Sequence, residues 1–262
     1  MTDTTDTVAI RLLGPVELAH DDDALGGPKQ RLVLALLALH LGEVVTGERL
    51  ADVVWNEDRP ADPRRSLQVH VSKIRKAFDD VGLDASITYR SNGYILRTDP
   101  GSVDVHRFES LLSQALVILD DEPERAAATL REALSLWRGP LLGGASEHPL
   151  LVGETRRLED LRLRAVEARI DADLARGRHA DVTAELRRLT DRHPLRERFW
   201  EQLMLGLYRA GRQADALEAY ERARRILRDE LGVDPSPALQ QLHARILDQD
   251  TGLDSPATIA TR

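Results

Sequence analysis

The stretch "RRSLQVHVSKIRKAF", residues 64–78, combines apolar residues at helical spacing with a run of cations. Its first thirteen positions carry five cationic residues and no carboxylate, although the whole chain has a formal net charge of -8. Four apolar residues recur at the spacing that places side chains on one face of a helix: Leu67, Val71, Ile74 and Phe78. We therefore predict an amphipathic helix that buries this face and presents its cations on the other.

Asp62 and Pro63 stand where this helix should begin. The residue before a proline is pushed out of the α region, as an N-cap must be, and proline suits the first helical position. A hydroxyl and a small apolar side chain lie among cations on the opposite face, which consists of Arg65, Val69, Ser72, Lys73 and Lys76. Such a face suits recognition in the DNA major groove, but the stretch alone is more typical of a solvated amphipathic helix.

The residues before this stretch contain further strand and helix patterns. "VAIRLLG" (8–14) and "PVELA" (15–19) predict a short hairpin. "GGPKQRLVLALLALHLG" (26–42) predicts a helix with Pro28 at its first position and Gly42 after its end. "TGERLADVVW" (46–55) predicts a second helix with Thr46 as its N-cap. "NEDRPADP" (56–63) carries two prolines and several charges, so we predict an exposed loop.

A hairpin is predicted after the cationic helix. In "SITYRSNGYILRT" (86–98), Asn92-Gly93 separates two β-rich runs, and this dipeptide is a strong short-range hairpin signal. The strand signals stop after "DPGSVD" (99–104). Residues 99–104 are therefore predicted to be a linker between two domains.

From His106 to about Asp248 almost every segment has helical periodicity. "LARGRHADVTAELRRL" and "YRAGRQADALEAYERA" are similar, and their glycines, Gly177 and Gly211, are 34 residues apart, the period of tetratricopeptide helix pairs. "DDEPERAAATLREALSLW" (120–137) resembles a further pair that is out of phase. Chance similarity among helices rich in Ala, Leu and Arg is the alternative. Residues 1–7 and 251–262 lack core positions and are predicted to be disordered.

Composition bounds the function classes. The chain has 262 residues, 42% of them hydrophobic, which is enough for one large or two ordinary cores. It has no cysteine, so disulfides, thiolate nucleophiles and cysteine-ligated metals are excluded. No segment reaches the ~18 apolar residues of a membrane span, and the N-terminus lacks a signal-peptide pattern. We expect a cytoplasmic, nucleoid-associated protein that does not contact the membrane.

The order of these elements resembles the OmpR-type winged helix, with "RSLQVHVSKIRKAF" as recognition helix and "ITYRSNGYIL" as wing. Six segments together resemble the Streptomyces antibiotic regulatory protein (SARP) family, from about Val8 to about Asp250. They are "LLGPVEL", "GGPKQRLVLALLALH", "LQVHVSKIRKAF", "HRFESLLSQA", "LREALSLWRGPLL" and "LRDELGVDPSPALQQLHARIL". The resemblance implies an α+β winged helix-turn-helix DNA-binding domain over 8–98 and an all-α, tetratricopeptide-like bacterial transcriptional activation domain over 105–250.

The resemblance also implies a function. A SARP-like protein would activate secondary-metabolite (antibiotic) biosynthetic genes. It would bind direct repeats near the promoter −35 element. It would also recruit RNA polymerase holoenzyme, with the sigma and alpha subunits as expected contacts. It would act on double-stranded DNA as a homodimer. The same contacts could serve a repressor that occludes a promoter. An alternative from a different class is a helical interaction scaffold, in which the cationic helix is simply part of the solvated surface. Such a scaffold need not bind DNA in a salt-sensitive way, and this distinguishes it.

Residue roles follow the OmpR-type pattern. Arg65 and Ser66 would contact phosphate or the groove edge, and Val69 would meet a thymine methyl or a base edge. Lys73 would read bases or phosphate, although a lysine there puts bidentate guanine readout in doubt. Lys76 would lie on the DNA backbone and Arg90 would enter the minor groove. Further DNA contacts are assigned to the outer face, the helix flanks and the wing: Arg64, Gln68, Ser72, Arg75, Ser91 and Asn92.

The role of three flanking residues is left open: Arg64, Gln68 and Arg75 are either phosphate contacts or solvated side chains. In OmpR-type proteins the loop before the recognition helix faces polymerase, and here its charged residues are Glu57, Asp58, Arg59 and Asp62. A plain solvated connector is the alternative. No P-loop, zinc pair or nucleophile–base set is present in the sequence. We therefore predict no enzyme activity, no cofactor and no metal.

Overall fold

The computed structural model describes residues 8–18, 24–56, 58–147 and 149–254. Of the two termini predicted to be disordered, residues 1–7 and 255–262 lie outside the described residues. The chain divides into two compact units. Unit 1 comprises the residues up to Leu112 together with Glu132–Arg162, and unit 2 comprises Ser113–Arg131 together with the residues from Leu163 onward.

Unit 1 begins with the predicted hairpin. Strands β1 (Ile10–Arg11) and β2 (Glu17–Leu18) pair antiparallel, with Ile10 opposite Leu18. Three helices follow: α1 (Pro28–Leu39), α2 (Gly47–Trp55) and α3 (Pro63–Asp80). All three are confirmed. The Thr46 hydroxyl accepts the Arg49 N–H at 3.2 Å and so caps α2 as expected.

The wing is a three-stranded antiparallel sheet in the order β3-β5-β4. It contains β3 (Val45–Thr46), β4 (Ala85–Arg90) and β5 (Gly93–Thr98). The sequence did not indicate β3, since two residues are too short to show a period. Helices α1, α2 and α3 pack on one another, and α3 packs against β4. This arrangement is the winged helix-turn-helix that the sequence predicted.

The turn of the wing hairpin lies one residue earlier than the predicted Asn92-Gly93 turn. Arg90 pairs with Gly93, so the two loop residues are Ser91 and Asn92, whose φ angles are 49° and 62°. Gly93 is instead the first residue of β5. A Cβ atom on it would lie 2.3 Å from the Val45 carbonyl oxygen. Glycine is therefore required by the close approach of β3, and Asn92 takes the left-handed conformation that asparagine tolerates.

Residues 99–104, predicted to be a linker, are packed into unit 1. Pro100–Ser102 form a 3-10 turn and Asp104 begins α4 (Asp104–Val117). The buried Asp104 carboxylate accepts the Leu12 and Leu13 N–H groups at 2.8 Å. Burial raises the pKa of Asp104 to about 6, while these backbone donors favour its charged form.

The residues that follow the predicted linker also join the core of unit 1. The Arg138 and Leu142 N–H groups donate to the Leu13 and Leu12 carbonyls at 2.7 and 2.9 Å. Trp137 packs edge-on against Phe108 with ring centroids 5.6 Å apart. The boundary between the units therefore falls inside helices α4, α5 (Pro123–Ser135) and α6 (Pro149–Ala175) rather than at 99–104.

Unit 2 is helical, as predicted. It holds the end of α6 and helices α7 (His179–Arg192), α8 (Glu197–Arg209), α9 (Gln213–Leu231) and α10 (Pro237–Leu247). Gly177 and Gly211, with φ of 77° and 74°, form the turns before α7 and α9, so the 34-residue period marks real helix pairs. Trp200 is buried in the core, and its Nε1–H donates to the Pro194 carbonyl at 2.9 Å.

The predicted disordered tail begins too early. Thr251–Leu253 form a 3-10 turn, Leu253 is buried in the unit 2 core, and its carbonyl accepts the Arg209 Nε–H at 2.8 Å. Residues 251–254 therefore belong to the packed unit, because Leu253 supplies an apolar anchor that sequence periodicity did not reveal. Across the described ranges, no helix has both the length and the apolar character needed to cross a bilayer.

Candidate nucleic-acid interface

Helix α3 begins at the predicted signal. The Asp62 carboxylate accepts the Arg65 N–H at 2.9 Å, and Pro63 occupies the first turn. This cap satisfies one of the N–H groups that a helix start leaves without an intrahelical partner. The cap also fixes the first residue of α3, and with it which side chains point away from the core.

The inner face of α3 is buried. The side chains of the predicted apolar stripe are each at most 2% exposed: Leu67, Val71, Ile74 and Phe78. Ala77 joins them at 4%. This burial against α1, α2 and β4 holds the helix in one orientation, so its opposite face is fixed in position before any ligand binds.

The outer face of α3 is exposed and cationic. Its predicted members are all solvent-accessible: Arg65, Val69, Ser72, Lys73 and Lys76. Val69 is 50% exposed, which is unusual for a valine in a packed helix, and Gln68 beside it is also exposed. Among the residues that the structure describes, no carboxylate lies within ion-pair distance of Arg65, Lys73 or Lys76. The face is therefore a positive surface without internal counter-ions.

Two flanking cations have partners within the wing. The Arg75 guanidinium donates to the Ile87 carbonyl through Nε at 3.0 Å, which ties α3 to β4. Arg64 lies over the Tyr89 ring, 5.6 Å from its centroid. The Arg75 guanidinium therefore joins α3 to the wing, and because Arg75 is exposed, its assignment to DNA stays a prediction. Ser66, also assigned to DNA, is only half-exposed in the first turn.

The tip of the wing lies close to the start of α2. The Asn92 carbonyl accepts the Gly47 N–H at 3.0 Å, and Asn92 Oδ1 accepts the Tyr89 hydroxyl at 3.1 Å. These bonds fix the turn through the backbone and side chain of Asn92. Arg90 and Ser91 remain exposed beside it. The wing therefore presents one more exposed cation, Arg90, at its tip.

Sequence reasoning missed two residues that border this surface. Lys29 lies 5.8 Å from the centre of the Trp55 ring, and Tyr89, 47% exposed, lies beneath Arg64. Burial together with the positive charges of Lys73 and Lys29 lowers the pKa of His70. Lys73 and Lys29 thus place positive charge near His70 in a chain that is acidic overall. The sequence does show that Lys29 lies in the first turn of α1, and this was the only available signal for it.

The loop before α3 is held at both ends. Arg59 pairs with Asp52 of α2, and the Asp58 N–H donates to the Trp55 carbonyl at 2.9 Å. Asp62 serves as the α3 cap, and Asp58 and Arg59 are exposed. Glu57, the fourth residue assigned to this loop, lies outside the described residues. A cavity of about 310 Å³ beside the loop is lined in part by Arg59, Arg64 and Tyr89.

Comparison with known proteins supplies a family. The chain matches the family model "Transcriptional regulatory protein, C terminal" over residues 22–96 and "Bacterial transcriptional activator domain" over 103–247. It is 41% identical to transcriptional regulator RedD of Streptomyces coelicolor, over 96% of this chain and 74% of RedD. It is 38% identical to regulatory protein DnrI of Streptomyces peucetius, over 94% of both chains.

A solved structure agrees with the fold. Mycobacterium tuberculosis EmbR, in complex with a low-affinity phosphopeptide, superposes with a TM-score of 0.84 at 34% identity. The match covers 93% of this chain and 65% of the EmbR chain. The fold and the order of its elements are therefore shared along almost the whole length of this chain.

Proposed function

The chain belongs to the SARP family of transcriptional activators, and from that premise we propose that it activates secondary-metabolite biosynthetic genes by binding their promoters. The target is double-stranded DNA that carries direct repeats near the −35 element. The observation that carries the proposal is the outer face of α3, where exposed cations have no carboxylate partner among the described residues. The protein acts in the cytoplasm at the nucleoid, without enzyme activity or cofactor.

The recognition helix α3 enters the major groove with its outer face toward the bases. Val69 contacts a thymine methyl or base edge, and Lys73 contacts bases or phosphate. Arg65, Ser66 and Lys76 bind phosphates, which position the helix without reading sequence. Arg90 enters the minor groove from the wing. Six further residues line the edges of this interface: Arg64, Gln68, Ser72, Arg75, Ser91 and Asn92.

Two protomers bind side by side as a homodimer on a direct repeat. Equivalent major grooves recur on one face of DNA about every 10–10.5 bp, so half-site centres are expected at that spacing or a multiple of it. Inserting five base pairs between half-sites rotates one by half a turn and should abolish cooperative binding. Undiminished cooperativity would contradict side-by-side docking.

The loop before α3 contacts RNA polymerase holoenzyme, through its sigma or alpha subunit. The Arg59–Asp52 pair and the Asp62 cap hold the loop at both ends, which lowers the ordering cost on docking. The triple substitution Glu57→Ala/Asp58→Ala/Arg59→Ala should keep operator affinity within about threefold, under ~0.7 kcal/mol, and lower transcription with purified polymerase. Asp191→Ala/Arg222→Ala, which removes an exposed ion pair of unit 2, is the matched control. Full transcription by the triple variant would reduce the loop to a connector.

A footprint of the purified protein on the promoters near its own gene tests the proposal as a whole. We expect a protected direct repeat upstream of at least one biosynthetic gene, and increased transcription from that promoter when polymerase is added. Protection with decreased transcription would indicate a repressor with the same DNA contacts. Absence of any DNA binding would favour the helical scaffold instead.

A further inference from the structure

Unit 2 contains a cavity of about 500 Å³ that the proposed DNA-binding function does not use. Leu119, Leu174 and Leu205 supply its apolar wall, and Asp120 and Arg209 are among its polar residues. A second cavity of about 290 Å³ shares Leu205 and Arg209 with it. The larger volume lies in the range of small-molecule sites. Its lining combines four apolar residues with four charged ones, so a ligand there would need both an apolar part and a charged or polar part.

Most charges around these cavities are already paired. Arg198 donates to both Asp171 carboxylate oxygens at 2.8 and 2.9 Å and to Glu201 at 2.7 Å. Arg245, on the second cavity, pairs with Asp250 at 2.7 Å. These arginines hold the helices of unit 2 together, and their positive charge is balanced locally.

Arg209 differs from its neighbours. Its Nε–H donates to the Leu253 carbonyl at 2.8 Å and one terminal nitrogen donates to the Leu174 carbonyl at 3.3 Å. Within the described part of the chain, no carboxylate lies within ion-pair distance of it. A guanidinium carries five N–H donors, so three remain beyond these two bonds. Burial lowers the pKa of Arg209, and the negative charge of Asp254 offsets this only in part.

A half-buried cation without a paired anion is costly, and an incoming carboxylate would both balance its charge and use its remaining donors. We propose that Arg209 binds the carboxylate of a small amphipathic organic anion whose apolar body lies along Leu119, Leu174 and Leu205. Asp120 also lines the cavity and disfavours a second negative charge, so the ligand class is a monocarboxylate. This proposal does not depend on DNA binding, and its test contains no DNA.

The test is calorimetric titration of the full chain with octanoate and with octanamide, which has the same apolar chain but no charge. We expect octanoate to bind at one site at about millimolar concentration or below, and octanamide to bind at least about tenfold more weakly. Arg209→Gln should weaken octanoate binding by a similar factor. Arg209→Lys, which keeps the charge but loses the planar fork, should give an intermediate result.

Two further variants separate ligand binding from folding. Ala175, an exposed residue that lines the larger cavity, can be replaced by tryptophan to block the cavity while Arg209 stays intact. Ala175→Trp should melt like wild type and lose octanoate binding. Arg222→Gln, on a different cavity of unit 2, should bind octanoate normally. Equal binding of octanoate and octanamide, no octanoate binding, or unchanged binding by Arg209→Gln or Ala175→Trp would overturn the proposal.

Discussion

The outer face of α3 and the α6–α7 region of unit 2 use the same kind of side chain in opposite ways. In unit 2, one buried carboxylate, Asp173, accepts from Arg131, Arg169 and Arg176 at 2.5, 3.2 and 3.3 Å. On α3, no described carboxylate pairs with Lys73 or Lys76. The arginines around Asp173 are therefore neutralised within the fold, whereas Lys73 and Lys76 have no described counter-ion. Net charge alone, which is -8, hides this difference.

The largest effect should come from breaking the unit 2 cluster. Asp173→Ala removes the carboxylate that three arginines share. Arg169 and Arg176, whose side chains are only 12% and 13% exposed, then keep only Glu185 and Glu124 as partners. We expect a loss of roughly 3–5 kcal/mol in the free energy of unfolding, measured by denaturant titration. Asp191→Ala removes the carboxylate of the exposed Arg222 pair and should cost under about 1 kcal/mol. Equal costs for the two variants would contradict the assigned role of the cluster.

The two faces of α3 should separate folding from binding. Ile74→Ala removes a side chain that is 1% exposed and should lower the free energy of unfolding by roughly 2–4 kcal/mol through lost burial and a cavity. Its neighbour Lys73 lies on the outer face, so Lys73→Ala should melt like wild type. Thermal melting of the two variants is the measurement. The assignment of faces fails if Lys73→Ala unfolds and Ile74→Ala does not.

The effect on DNA affinity should be smaller and confined to the unpaired cations. Lys73→Ala and Arg90→Ala should each weaken operator binding by about 1–3 kcal/mol without changing the melting temperature. Arg222→Ala removes an equally charged but internally paired side chain and should leave operator binding unchanged. An equal loss for all three variants would mean that total charge, and not the arrangement on α3, governs binding.

Local sequence patterns predicted the parts of the interface that depend on neighbouring residues. The i, i+4, i+7 spacing identified the buried stripe of α3, Asp62-Pro63 identified its start, and the β-rich runs around Asn92 identified the wing. Each of these signals arises from contacts within one helix or one hairpin. The same reasoning explains why the helix pairs around Gly177 and Gly211 were recognised.

The features that the sequence did not predict come from contacts between residues distant in sequence. Asp104 binds the backbone of Leu12 and Leu13 more than 90 positions away, so a segment that looked like a linker is part of the core. Arg75 binds the Ile87 carbonyl, which no helical pattern could indicate. The approach of β3 to Gly93 moved the wing turn by one residue. Periodicity contains no information about such partners.

The salt dependence of DNA affinity tests the central claim most directly. If the cations of α3 and the wing bind phosphates, each protomer should neutralise some 4–6 of them, and the slope of log K against log salt should be roughly −4 to −5 per protomer. The double variant Lys73→Ala/Arg90→Ala should reduce the magnitude of that slope by about 2 if both side chains contact phosphate. A salt-independent affinity, or no binding to duplex DNA at any salt concentration, would contradict the account.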